Sequence, residues 1–170
     1  KAFAQDAAIC NLIGLKNLVI HGGGPQIKKK LEAQNIQSKF ILGLRVTDEK
    51  VIKIVEDVLL NDINPDLVNT ISSFNAVAEP VTARNKNGIL KVTKSINPNL
   101  GFVADPEEID DEKLKSIINS NKVPVIAPMG LGENNQVYNI NADTAAGKIA
   151  IKIKAERLLL MTDVPGVKDK

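Results

Sequence analysis

Leu18-Val19-Ile20-His21-Gly22-Gly23-Gly24-Pro25 reads as a short strand, three bare backbone positions and a helix start, and this order decides the fold. Leu18-Val19-Ile20 is apolar on both faces, as a strand is in a parallel sheet covered on both sides. Pro25 suits the first turn of a helix, where its missing N–H costs nothing. The glycines between them let a ligand approach the backbone closely, and the free N–H groups of a helix start point at it. An anion, phosphate or carboxylate, is the natural guest. A tight turn needing one positive φ would be satisfied by one glycine, so three in a row favour a ligand contact. The spacing is not the dinucleotide fingerprint, because Ile27 stands where its last glycine belongs. The Gly-Lys-Ser/Thr ending of a Walker A loop is also missing.

Outward from this stretch, helices and apolar strands alternate. Phe3, Ala7, Ala8, Leu12 and Ile13 recur at helical spacing and predict a buried face, with Gly14 as the stop. Ile27 and Leu31 carry the helix that Pro25 opens. Residues 40–46 read as extended or looped. Thr47 is placed to cap a helix with the apolar face Val51, Ile54, Val55, Val58 and Leu59, and Pro65 begins another through Leu67, Val68 and Ile71. Asn87-Gly88 lies between Val81-Thr82-Ala83 and Ile89-Leu90-Lys91-Val92, which predicts a hairpin at that point. Gly101-Phe102-Val103-Ala104 is strand-like, and Asp110 or Asp111 caps a helix through Leu114, Ile117 and Ile118. Val123-Pro124-Val125-Ile126-Ala127 is a buried strand. Ala145, Ala146, Ile149, Ala150 and Ile153 mark a further helix, and Leu158-Leu159-Leu160-Met161 reads as a fourth apolar strand ended by Thr162-Asp163-Val164-Pro165-Gly166. The expected fold is α/β: a three-layer αβα sandwich with a mainly parallel sheet and an inserted β-hairpin.

Composition removes several function classes. The 170 residues carry 22 Lys+Arg against 20 Asp+Glu, and aromatics are 3%. A nucleic-acid binder needs a basic stripe or stacking platforms, and neither is present. The longest apolar run, 158–161, falls far short of the roughly 20 residues of a membrane span. One cysteine, Cys10, excludes an internal disulfide, and one histidine, His21, excludes a two-histidine metal motif. Together these favour a cytoplasmic protein with no metal site of its own. The chain opens at Lys1 directly into helical pattern, with no N-capping residue before it, and stops soon after the fourth apolar run. The expectation is a piece cut at both ends.

Two further constellations stand out. Arg45 lies in Gly43-Leu44-Arg45-Val46-Thr47-Asp48, among apolar neighbours just before a helix, the setting for a fixed guanidinium fork. Alone it would read as a salt bridge or a carbonyl cap. Tyr138-Asn139-Ile140-Asn141-Ala142-Asp143-Thr144-Ala145-Ala146-Gly147 gathers small and polar residues at one helix N-terminus. Asn139 or Asn141 can cap there, and Asp143 suits the helix dipole. Alternatively the asparagines orient a carboxylate and Asp143 holds cations in place. His21, with no carboxylate at a meaningful spacing, reads as structural, and Cys10 as core.

Taken in order, His-Gly-Gly-Gly, Gly-Leu-Arg-Val-Thr-Asp, Asn-Ile-Asn-Ala-Asp-Thr-Ala-Ala-Gly and Leu-Leu-Leu-Met-Thr-Asp-Val-Pro-Gly-Val resemble the acetylglutamate kinases of the amino-acid kinase superfamily. The likeness runs from Lys1 to Val167. It implies transfer of a phosphoryl group from ATP with Mg2+ to the γ-carboxylate of N-acetyl-L-glutamate, an early step of arginine biosynthesis. It also implies that Gly22, Gly23 and Gly24 lie over the acyl phosphate region, that Arg45 grips the substrate α-carboxylate, and that Asn139 binds substrate. Asp143 would orient two catalytic lysines. One of those lies in a Lys-x-Gly-Gly loop that would precede Lys1, the other beyond Lys170. Residues 1–170 would therefore be an N-terminal, acetylglutamate-binding lobe, inactive by itself. Relatives dimerise through the helix matching residues 51–60. Residues 78–84 depart from the Gly-x-Ser-Gly-Lys-Asp-like stretch usual in relatives. Competing readings are a kinase for glutamate, aspartate or carrier-linked glutamate, and a non-catalytic amino-acid-binding module.

Overall fold

The computed structural model describes residues 1–86 and 88–161. Its centre is a parallel sheet in which β7 (Lys122–Ile126) lies between β1 (Val19–Ile20) and β4 (Val77–Val81). Val19 pairs with Val125 and Ile20 with Ile126, while Val81 faces Ile126 from the other side. Alternation along β7 sorts the core. Val123 and Val125 turn to one face, where α1 (Ala2–Leu12) and α4 (Asn64–Ser72) supply Ala4, Ala7, Ala8 and Ile71. Ile126 turns to the other, against Leu114 and Ile117 of α5 (Asp111–Asn119) and Ala145 and Ile149 of α6 (Ala142–Ile153). This is the expected three-layer α/β arrangement. Pro124 is tolerated in the central strand because β1 begins only opposite Val125. Its missing N–H faces the β1 side just before that ladder starts.

A second, mixed sheet has the order β6-β5-β8-β9, from β5 (Leu90–Lys94), β6 (Ala104–Ile109), β8 (Met129–Leu131) and β9 (Val137–Asn139). The inserted antiparallel hairpin is β5–β6, with Leu90 opposite Ile109 and Lys94 opposite Ala104. The hairpin expected around Asn87-Gly88 is not formed, since β4 and β5 belong to different sheets. Asn87 itself lies outside the described residues. A turn dipeptide lets the chain reverse, but neighbouring edges decide what each strand pairs with.

Helix α3 (Glu49–Asp57) runs into a π-helical segment, Val58–Ile63, and on into α4. Pro65 cannot donate to the carbonyl four residues back and its ring crowds that turn, and the widened π turns lie immediately before it. The cap of α3 is Asp48, whose side chain accepts from the N–H groups of Lys50 and Val51, rather than Thr47. Asp110 and Asn141 cap α5 and α6 as the sequence suggests. Asn35, Asn75 and Asn121 follow helices with φ of 58°, 66° and 56°. Asparagine is among the few non-glycine residues that tolerate this left-handed conformation.

Three further expectations fail for physical reasons. The inner face of α1 is Ala4, Ala7, Ala8 and Asn11, whereas Leu12 and Ile13 are 53% and 70% exposed. Small side chains let the helix approach α4 and the sheet closely, and the large ones are turned outward. Cys10, expected in the core, is only half-buried. The apolar run 158–161 forms no strand and its side chains are exposed. Apolarity alone does not make a strand, which needs an adjacent edge, and among the described residues none pairs with this run. Residues 162–166, expected to end it, lie outside the described residues.

The packing of α1 gives a direct check. Ala8→Leu, at a fully buried position, should cost about 1–3 kcal/mol through overpacking. Leu12→Ala should change stability by no more than about 0.5 kcal/mol. Urea unfolding of the two variants measures both; the reverse ranking would place the helix on its other face.

Candidate functional site

Strand β1 delivers His21 to the edge of the sheet, where its backbone N–H donates to the carbonyl of Ile126. The glycines follow, and α2 (Gly24–Glu32) starts with Pro25 in its first turn. None of the three glycines has a positive φ. A Cβ added at Gly22 or Gly24 would meet nothing within 4 Å. Neither a positive φ nor a neighbouring protein atom therefore requires glycine at these two positions, and the backbone there is open. Gly23 differs: a Cβ there would lie 2.6 Å from Leu59 Cδ2 and 2.9 Å from Ile63 Cδ1, both on the π segment. Among the described residues no backbone acceptor takes the N–H of Gly22 or Gly23.

Arg45 closes one side of this loop. It lies on β3 (Leu44–Arg45), which pairs with β2 (Phe40–Ile41) through a turn at Leu42 and Gly43, both at positive φ. Cross-strand pairing of Phe40 with Arg45 puts the guanidinium 4.8 Å from the ring centroid. Its Nη1 donates to Ser38 Oγ and its Nη2 to the Gly24 carbonyl at 3.3 Å. The residue is 9% exposed, and burial lowers its affinity for the proton. A guanidinium keeps its charge even so. Among the described residues no carboxylate pairs with it. A buried cation with spare donors, set against open glycine backbone, has the chemistry that suits an anion.

Asn139, at the end of β9, joins the same group. Its Nδ2 donates to Thr47 Oγ1 at 3.5 Å, while the Thr47 hydroxyl donates to the Arg45 carbonyl at 2.8 Å. Gly101, at φ +70°, comes so close to Thr47 that a Cβ would sit 2.3 Å from the Thr47 carbonyl oxygen. The structure thus links Gly24, Arg45, Thr47 and Asn139. Asp143 stands exposed in the first turn of α6, and no described residue bonds to it. Thr47, Ser38 and Phe40 were missed in the sequence as parts of the site. Gly43 was the available clue, since a turn there makes 40 and 45 cross-strand partners. Among the described residues no three His, Cys, Asp or Glu side chains converge as metal ligands. A separate open cleft lined by Lys53, Glu56, Asp57 and Arg84 holds charges that already pair, Arg84 with Glu56 and Asp57 with Lys30.

Behind the loop, His21 is buried with Asn64 at the start of α4. Asn64 Nδ2 lies 3.2 Å from His21 Nε2 and 2.9 Å from the Val125 carbonyl. His21 Nδ1 lies 3.0 Å from the Gly22 carbonyl. Burial lowers the His21 pKa, opposed by the bond to Gly22. The folded protein therefore resists protonation that the unfolded chain accepts below about pH 6.5. Stability from this group is present above that pH and is lost as pH falls towards the folded-state pKa. Between about pH 7.5 and pH 5, wild type should lose more unfolding free energy than His21→Gln, by up to about 1.4 kcal/mol per pH unit. Parallel losses in urea titrations at the two pH values would contradict this.

Comparison with known proteins identifies the family. The amino acid kinase family profile matches residues 1–170. An acetylglutamate kinase of Pelagibacter ubique is 47% identical over 169 residues, covering 99% of this chain and 58% of that protein. One from Methanocaldococcus jannaschii is 40% identical, covering 98% and 59%. The chain spans a little over half the length of these relatives. A crystal structure of a Streptococcus mutans UA159 protein superposes with a TM-score of 0.85 at 27% identity, covering 97% of this chain and 64% of that one. An N-acetylglutamate synthase of Neisseria gonorrhoeae shares the fold, with a TM-score of 0.74 at 19% identity over 97% of this chain and 40% of its own. Matched over its whole length, this chain belongs to the amino acid kinase family.

Proposed function

We propose that the protein transfers a phosphoryl group from ATP, with Mg2+, to the γ-carboxylate of N-acetyl-L-glutamate in arginine biosynthesis. The chain described here supplies the acetylglutamate-binding lobe. The observation that carries this reading is the buried Arg45 guanidinium, hydrogen-bonded to Gly24 and without a carboxylate partner among the described residues. Relatives named acetylglutamate kinase at 40–47% identity support the choice of substrate.

Arg45 takes the α-carboxylate, and Asn139 adds an amide contact beside it. The N–H groups at Gly22, Gly23 and Gly24 face the γ-carboxylate and the incoming phosphoryl oxygens. Asp143, exposed and without a bond among the described residues, is free to orient lysines. Phosphoryl transfer needs positioning and charge neutralisation more than covalent chemistry, which suits backbone amides and a fixed guanidinium. Mg2+ accompanies the nucleotide in this proposal, and no residue of the chain is assigned to it.

The proposed setting is the cytoplasm, with a homodimer paired through residues 51–60, which span most of α3 and the start of the π segment. Val51, Ile52, Ile54 and Val55 are buried in the chain's own core, so the apolar face of this helix cannot carry that contact. Pairing there would use Lys53, Glu56, Asp57 and Leu60. Sedimentation equilibrium should show a dimer that Lys53→Glu weakens, whereas a monomer at high micromolar concentration would refute the arrangement.

Calorimetric titration with N-acetyl-L-glutamate, beside glutamate and aspartate, tests the substrate. Only the acetylated compound should bind. Arg45→Met should weaken binding about 10- to 100-fold, the loss expected for hydrogen bonds to a charged group. Removing an unpaired buried charge should leave the melting temperature unchanged or higher. Equal binding by wild type and variant would sink the assignment.

A further inference from the structure

We infer that His21 is a positioning residue that sets the direction of the Gly23 N–H, with Asn64 fixing the histidine's tautomer. The inference rests on the reading of the glycine loop as an anion receptor.

The argument starts at Asn64, which is 1% exposed. Its Nδ2 donates to the Val125 carbonyl, and this acceptor fixes which end of the side-chain amide is nitrogen. The same nitrogen faces His21 Nε2. An amide nitrogen is only a donor, so Nε2 must be the unprotonated, accepting nitrogen. The ring proton then sits on Nδ1, where it donates to the Gly22 carbonyl.

That last bond reaches the site. The Gly22 carbonyl and the Gly23 N–H belong to one peptide unit, and the chain has no cis peptide bonds among the described residues. In a planar trans unit the two groups point in opposite directions. A histidine that draws the carbonyl inward therefore turns the Gly23 N–H outward. Glycine pairs flip their shared peptide readily, so an anion site built here needs a clamp. The clamp is anchored to β7 through Asn64 and Val125, and to the packing of Gly23 on Leu59 and Ile63. His21 touches no reacting group; it acts through the backbone.

Two side chains separate the roles of the ring nitrogens. Asparagine places an N–H near the Nδ1 position and can hold the Gly22 carbonyl. Glutamine reaches the Nε2 position and can meet Asn64, but leaves the carbonyl free. The expected result is that His21→Gln weakens N-acetyl-L-glutamate binding about tenfold, one hydrogen bond to a charged group, while His21→Asn restores most of the loss. Equal affinities for both variants, high or low, would overturn the inference.

The tautomer is read separately, by long-range proton–nitrogen NMR of the ligand-free wild-type chain. The Nδ1–H form is expected, and an Nε2–H form would overturn the inference whatever the substrate. If wild type fails to bind N-acetyl-L-glutamate, the substrate assignment falls and inorganic phosphate becomes the probe. A Gly23 amide shift with phosphate in wild type and His21→Asn but not in His21→Gln would then uphold the clamp. The same shift in all three would remove it.

Discussion

The short parallel ladder between β1 and β7 sets the position of everything that binds. Ile20 opposite Ile126, continued by the bond from His21 N–H to the Ile126 carbonyl, fixes where the chain leaves the sheet. From that point there is room for only three residues before α2 begins. The loop must lie at the carboxyl end of the parallel strands, where open α/β sheets bind their ligands. Arg45 comes from the β2–β3 hairpin and Asn139 from the second sheet, and they are brought to the same end by the Thr47–Gly101 contact. The site is thus assembled on a rigid edge from elements distant in sequence.

Local signals in the sequence were the ones that survived folding. The glycine run, Pro25 at a helix start and the Asp110 and Asn141 caps each depend on residues within about one turn, and each is found in place. The buried face of α1 was misread because periodicity ranks large apolar residues first, whereas the contact with α4 and the sheet selects alanines for closeness. Asn87-Gly88 suggested a reversal that the strand edges did not accept. The partners of Arg45 and His21 were invisible for a different reason. Phe40 over Arg45 depends on hairpin register, and Asn64 beside His21 joins residues 43 positions apart; neither leaves a period or a motif to detect.

Charge supplies the specificity that the fold cannot. The likeness to a protein only 19% identical is a likeness of fold, and a fold does not by itself fix a chemistry. Most ion pairs of this chain are exposed, such as Lys91 with Glu108, and contribute little. Arg45 stands apart as a buried cation stacked on an aromatic ring, with no opposite charge beside it among the described residues. Its hydrogen bonds to Ser38 and Gly24 and its contact with Phe40 offset part of the cost of burying that charge.

The π segment has a consequence of another kind. Leu59 and Ile63 project from it onto Gly23, so interior volume and loop position are a single quantity. A mutation that enlarges position 23 and one that shrinks position 59 act on the same gap from opposite sides. A side chain at position 23 would have to displace the ends of both Leu59 and Ile63, so the height of the loop above the core is set by residues buried beneath it.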